Sequence, residues 1–201
     1  MFKLLAFIGV LLLVAAPKEP KVIMWNILEE SELGIAGTTN VNSYYCMSEN
    51  YFGDDKIYER YSNEGQVSWS GKIRVPARSF DCANNIMTKD FQSTIKADQH
   101  PYIGMEFLHL EKVKGEDSAI SGEAIVTLVK VQQKIKIDCK MEKLDNGVLK
   151  LEGDHTFLFS DFGLEAPKKF FGAIKVKDQV TVEFKLFLES ESSNTIKGNL
   201  L

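Results

Sequence analysis

Three stretches between residues 134 and 188 alternate apolar and polar side chains, and this pattern constrains the fold more than any other feature of the chain. The apolar side chains of the first stretch are Ile135, Ile137, Cys139 and Met141. The same parity returns in residues 149–160 and 180–188. Because the side chains of a strand point alternately to its two faces, each stretch is predicted to be a strand with one buried and one solvated face.

The connections between these strands are short and contain turn residues. Asn146 and Gly147 favour a tight hairpin because both tolerate positive φ, and Asp178 lies in a second short polar connection. An antiparallel meander is therefore predicted for this half of the chain.

The other half of the chain adds strands and one helix. Between residues 84 and 97 the apolar residues recur at helical spacing, with Asn84 or Asn85 as the N-cap, and His100-Pro101 ends this helix. Residues 18–32 fit either a strand or a short helix. Further strands are predicted over residues 33–48, 56–61, 66–75, 102–113 and 119–131.

An antiparallel sheet of about eight strands with a single apolar face has to cover that face, by packing against a second sheet or by closing on itself. Closure also removes the exposed strand edges. A closed barrel of this size has an interior that side chains fill or that holds one small ligand. The predicted fold class is mainly β, an antiparallel eight-stranded barrel with one short capping α-helix.

The chain divides into one main domain and its flanking segments. Its 201 residues, 44% of them hydrophobic, suit one sizeable core. Residues 1–16 are predicted to be a signal peptide, because Lys3 precedes an apolar run that is shorter than the roughly 20 residues of a membrane-spanning helix. Residues 17–32 would be a lead-in segment, residues 33–189 the barrel domain, and residues 190–201 a polar tail.

The composition bounds the partners and the compartment. A formal net charge of −4 from interspersed charges offers no clustered basic face for nucleic acid.

An exported chain meets an oxidising compartment, where Cys46, Cys82 and Cys139 cannot all pair within one molecule. Cys139 shares the apolar face of its strand and is predicted to be a buried free thiol, which leaves Cys46 and Cys82 as the candidate disulfide.

The histidines, serines and cysteines of the sequence show no catalytic or metal-binding signature. His100, His109 and His155 do not have the spacing of metal ligands, and no serine or cysteine lies in the context of an activated nucleophile. We therefore expect neither an enzyme nor a metal site or cofactor.

Four short motifs, in order, resemble the YceI-like family: residues 37–46 (GTTNVNSYYC), 87–91 (MTKDF), 100–103 (HPYI) and 161–163 (DFG). The resemblance extends from about Gly34 to Leu188. It implies a lipocalin-like barrel with a helix over one end, exported to the periplasm or secreted, and a lumen that holds a polyisoprenoid or a similar long-chain lipid. It also supports the pairing of Cys46 with Cys82. The chain departs from the family at Lys130, where a glycine is common.

The inward-facing residues of the predicted strands are the candidates for lining that lumen, although a solid core would need the same residues. Two hypotheses stay open: a lipid-binding barrel, or a ligand-free structural or interaction module of the cell envelope. The oligomeric state also stays open, a dimer included. The lumen candidates are Ile73, Val75, Met105, Phe107, Ile135, Ile137, Phe157, Phe159, Phe184 and Leu186.

Overall fold

The computed structural model describes residues 21–191, apart from the side chains at positions 169 and 170. The signal peptide predicted for residues 1–16 and nearly all of the polar tail lie outside the described residues. Eleven strands and one α-helix, α1, form within this range. They are β1 Val22–Ile27, β2 Glu32–Thr39, β3 Ser43–Ser48, β4 Lys56–Tyr61, β5 Val67–Pro76, α1 Asn85–Thr94, β6 Tyr102–Lys112, β7 Ala119–Leu128, β8 Val131–Lys143, β9 Leu149–Leu158, β10 Lys168–Lys169 and β11 Ile174–Ser190.

Eight of these strands close into an antiparallel ring, in the order β1-β4-β5-β6-β7-β8-β9-β11. The ring closes where β11 returns to β1, with Trp25 paired to Ser190 and Ile27 to Leu188. This arrangement confirms the predicted eight-stranded barrel. Residues 22–27, which the sequence pattern left undecided between strand and helix, supply the closing strand β1.

The long strand β11 has two partners on one side. Its last residues pair with β1, and its earlier residues pair with β2, where Val182 lies opposite Ile35. The single strand predicted over residues 33–48 is instead the hairpin β2–β3. Its turn is stabilised by the Thr39 hydroxyl, which accepts a hydrogen bond from the Asn42 backbone N–H at 2.9 Å. Turn-forming asparagines within the β-branched run explain the break.

The alternating pattern of the second half gives the strands their buried face. Ile137, Cys139 and Met141 of β8 are buried, and Phe184 and Leu186 of β11 face the same core. The half-buried strands predicted from this pattern are confirmed. Their apolar faces fill the middle of the barrel.

The hairpin between β7 and β8 contains no residue that favours a turn. The strand predicted to run to Val131 ends at Leu128, and the turn is made by Val129 and Lys130 with φ of 50° and 66°. Left-handed conformations are costly for side chains with a Cβ, and most of all for β-branched ones. Lys130 is the residue that stands where the resembled family commonly has glycine. Its positive φ is a conformation that glycine would accept without strain.

Helix α1 is shorter than the predicted span of residues 84–97 but begins where expected. The Asn84 side chain accepts hydrogen bonds from the backbone N–H groups of Ile86 and Met87, at 3.0 and 3.1 Å. Asn84 is thus the N-cap. Phe91 and Ile95 are buried on the inner side, whereas Ile86 points to solvent. The helix therefore packs on the barrel through its C-terminal half.

Candidate ligand-binding site

A cavity lies inside one end of the barrel, beneath α1. This end is formed by the last residues of β5, β7 and β9, by residues of β2 and β6 near their beginnings and by the middle of β11. Phe91 and Ile95 of the helix region cover it. The barrel and the helix thus enclose the cavity together.

The cavity is small and its wall is entirely apolar. Its volume is about 60 Å³, and the twenty lining residues are aliphatic residues, phenylalanines, one methionine and one glycine. Leu158 also belongs to the lining and is 40% exposed, because its side chain has the opposite parity to that of the buried Phe157. Such a wall offers burial to a hydrocarbon but no hydrogen bond or charge to a polar group.

Seven of the ten lumen candidates from the sequence line this cavity. The other three do not: Phe107 and Ile137 are 1% exposed in the core at the middle of the barrel, and Ile135 is half-buried. Phe107 packs against Phe184, with 5.9 Å between the ring centroids. The seven lining residues are Ile73, Val75, Met105, Phe157, Phe159, Phe184 and Leu186.

The rest of the cavity wall consists of residues that were not among the predicted lumen candidates. Phe91 and Ile95 were recognised as the apolar side of a helix, but the pattern does not say what that side covers. Leu33 and Ile35 lay in a strand whose inner face was not assigned. The lining residues that were not among the lumen candidates are Leu33, Ile35, Phe80, Phe91, Ile95, Ile103, Gly104, Val126, Leu128, Leu158, Phe162, Val180 and Val182.

Side-chain contacts fix the helix over the cavity. Phe80, just before the helix, meets Phe91 with 5.5 Å between the ring centroids. The Gln92 side-chain amide donates to the backbone carbonyl of Arg78 at 3.3 Å. The disulfide between Cys46 of β3 and Cys82 ties the segment that leads into the helix to the sheet, as predicted. The cover of the cavity is therefore attached covalently.

Cys139 lies away from this cavity. It is 6% exposed and has no disulfide partner, as predicted. Burial, and secondarily the negative charge of Asp138, raise the pKa of its thiol to about 12. A thiol with such a pKa is protonated at neutral pH and is a poor nucleophile.

Residues 38–188 match the model of the YceI-like domain. This chain belongs to the YceI-like family. The match covers the sheet from the end of β2 to nearly the end of β11, and it contains most residues of the cavity wall. Comparison with curated protein sequences gives no match.

Two solved structures share the fold of this YceI-like chain. The polyisoprenoid binding domain from Saccharophagus degradans, implicated in plant cell wall breakdown, aligns with a TM-score of 0.60 at 13% identity, over 85% of this chain and 99% of that one. BcnA from Burkholderia cenocepacia aligns with a TM-score of 0.57 at 12% identity, over 78% and 95% of the two chains. At such identities the likeness establishes the fold. Within residues 21–191, no helix has the length and apolar character needed to cross a membrane.

Proposed function

We propose that this YceI-like protein binds an amphiphilic lipid of the isoprenoid or fatty-acyl type by burying its apolar chain in the cavity beneath α1. The wholly apolar wall carries this proposal, because it suits a hydrocarbon chain and little else. Each methylene group taken out of water contributes about 0.8 kcal/mol, so burial of a long chain is the main favourable contribution to binding, against the cost of immobilising it. A domain of the same fold in Saccharophagus degradans is a polyisoprenoid binding domain, which supports the assignment.

The size of the cavity determines how such a chain would enter. Its 60 Å³ is several times smaller than the roughly 300–1,000 Å³ of ordinary ligand pockets. A long chain therefore has to displace lining side chains, of which Met105 is the most adaptable. Phe91 and Ile95 on the helix side are the groups that would move. Binding would thus be coupled to an outward movement of this wall.

We also infer that the protein holds its ligand without converting it and that it acts outside the cytoplasm. None of the cavity's lining residues carries a nucleophile or a titratable group. The disulfide between Cys46 and Cys82 suits an oxidising compartment such as the periplasm. The signal-like segment in residues 1–16 supports export.

The alternative is a structural or interaction module with a packed interior, and the small cavity volume favours it. The deciding measurement is native mass spectrometry of the mature protein from its own host, followed by organic extraction of any bound molecule. We expect a stoichiometric long-chain lipid. A mass that stays that of the protein alone, also after incubation with farnesol and palmitate, would establish the packed module instead.

A matched pair of variants locates the ligand. Val126 lines the cavity and Val148 lies near the opposite end, and both are 7% exposed. Val126→Phe fills the cavity, whereas Val148→Phe adds the same bulk elsewhere, each at a cost in stability of about 1–3 kcal/mol. Lipid binding should be lost in Val126→Phe and kept in Val148→Phe. Equal binding by the two variants would place the lipid elsewhere.

A further inference from the structure

The opposite end of the barrel contains a second, larger pocket of different character. Its volume is about 520 Å³, and its lining includes two tryptophans, a tyrosine and two carboxylates. Its exposed rim residues place its mouth at the surface. The aromatic and charged residues of the lining are Trp25, Glu59, Tyr61, Trp69, Lys112, Asp117 and Lys143.

The two cavities are separate. Along β5 the pocket ends at Trp69 and the cavity begins at Ile73, and along β11 the corresponding residues are Ser190 and Leu186. Between them lie Ile57, Phe107 and Leu188, which are at most 1% exposed. The second pocket is therefore independent of the proposed lipid site.

Glu59 is a buried carboxylate at the inner side of this pocket. It is 8% exposed, and it accepts hydrogen bonds from Trp25 Nε1 at 3.0 Å and from the Tyr61 hydroxyl at 2.9 Å. None of the cationic side chains that the structure describes forms an ion pair with it. Two of the four or so acceptor positions of an ionised carboxylate are used, so the others stay available. A buried charge of this kind strongly favours a positive partner.

Two further observations concern the aromatic residues of the pocket. Trp69 is 3% exposed, and its Nε1–H has no hydrogen-bond partner among the described residues. This donor is itself closed off from the pocket, so Trp69 contributes an apolar ring surface to the lining. The ammonium group of Lys21 lies over the Tyr61 ring, 5.1 Å from its centroid. This ring already interacts with a cation by its π face.

We propose that this pocket binds a small organic cation, an alkylammonium compound. The ammonium group would face Glu59 and the aromatic rings. Lys112 and Lys143 would favour an anion, but both are exposed to water at the rim, where their charges are screened. Glu59 is buried, where the effective dielectric constant is lower and its charge acts more strongly.

Choline is the probe for this site, and intrinsic fluorescence is the readout. The chain has two tryptophans, Trp25 and Trp69, and both line the pocket, so a bound cation should change the emission directly. The comparison ligand is the neutral carbon analogue of choline, in which a tert-butyl group replaces the trimethylammonium group. We expect saturable binding of choline, at least about tenfold tighter than that of the analogue. Absence of saturable binding, or equal affinity for the two compounds, would overturn the proposal.

A matched pair of variants tests the role of the carboxylate. Glu59→Gln keeps the shape and removes the charge, and Glu165→Gln makes the same change at an exposed residue outside the pocket. Choline affinity should fall about tenfold or more in Glu59→Gln and stay constant in Glu165→Gln. Circular dichroism checks that Glu59→Gln is folded, and if it is not, the comparison of choline with its neutral analogue on the unaltered protein decides. An unchanged affinity in folded Glu59→Gln would overturn the proposal.

The source of the cation follows from a third titration. Phosphocholine carries the same ammonium group and adds a phosphate that can reach Lys112 and Lys143. Tighter binding of phosphocholine than of choline supports a lipid head group as the ligand, and tighter binding of choline supports a free amine. If neither choline nor phosphocholine binds, this proposal is overturned. The proposal that a lipid binds in the cavity beneath α1 does not depend on that result.

Discussion

Cys46 of β3 is bonded to Cys82, which lies two residues before the N-cap of α1. The bond joins the hairpin strand β3 to the segment that carries the helix, and Phe91 and Ile95 of that helical segment cover the cavity. The cover is thus held by a covalent bond at its N-terminal side and by apolar contacts at its C-terminal side. An outward movement of the helix would pivot about the disulfide.

The first prediction is that this disulfide stabilises the folded state strongly. It closes a loop with a sequence separation of 36, so the double variant Cys46→Ala/Cys82→Ala should lose about 3–4 kcal/mol of unfolding free energy, through the greater entropy of its unfolded chain. Urea unfolding of the double variant and of the unaltered protein measures this loss. Cys139→Ala, which keeps the bond, is the control. A loss below about 1 kcal/mol would contradict the chain-entropy account.

The second prediction concerns the strained turn at Val129 and Lys130. Lys130→Gly should raise the unfolding free energy by about 1 kcal/mol, because glycine adopts φ of 66° without the cost that a Cβ imposes. Lys136→Gly, at an exposed position within β8, is the matched control and should lower stability by about 0.5–1 kcal/mol, since glycine weakens a strand interior. Denaturant unfolding of both variants checks the opposite signs. Destabilisation by Lys130→Gly would show that this turn is not strained.

The alternation of side chains predicted the barrel well, because a strand's two faces are fixed by sequence parity. Parity does not give the height of a residue along the barrel axis. Phe107 and Ile137 share their face with Met105, yet they fill the middle of the barrel whereas Met105 lines the cavity. Position along the axis depends on strand register and tilt, which a single strand's pattern does not contain.

Two other features lay beyond the sequence pattern for a different reason. The turn at Val129 and Lys130 is made by residues without turn preference, so the pairing of β7 with β8 imposes a conformation that local propensity disfavours. The pocket around Glu59 joins residues of strands far apart in the chain. Glu59 lies at an inward-facing position in the alternating pattern of β4. A charged residue at such a position is the one sequence signal that could have indicated the pocket.

The third prediction separates two glycines by what surrounds them. A Cβ at Gly122 would lie 2.0 Å from the backbone oxygen of His109, at the irregularity in the pairing of β6 with β7, and backbone cannot move aside cheaply. A Cβ at Gly104 would meet nothing closer than 3.5 Å. Gly122→Ala should therefore lower the free energy of unfolding by about 2–4 kcal/mol, and Gly104→Ala should change it by less than about 0.5 kcal/mol. Thermal unfolding of the two variants measures both changes. Equal costs would mean that the strand irregularity relaxes.

The last prediction is that Cys139 makes the folded state less stable as the solution becomes alkaline. Folding raises the pKa of its thiol from 9.0 to about 12, so above pH 9 the unfolded chain loses this proton while the folded chain keeps it. The stabilisation is complete below pH 9, and about 1 kcal/mol should be lost between pH 8 and pH 10. Urea unfolding across this pH range measures the loss in the unaltered protein and in Cys139→Ala, whose lower baseline stability does not affect the comparison of slopes. Because the tyrosines titrate equally in both proteins, parallel slopes would show that the thiol ionises alike in the folded and unfolded chains.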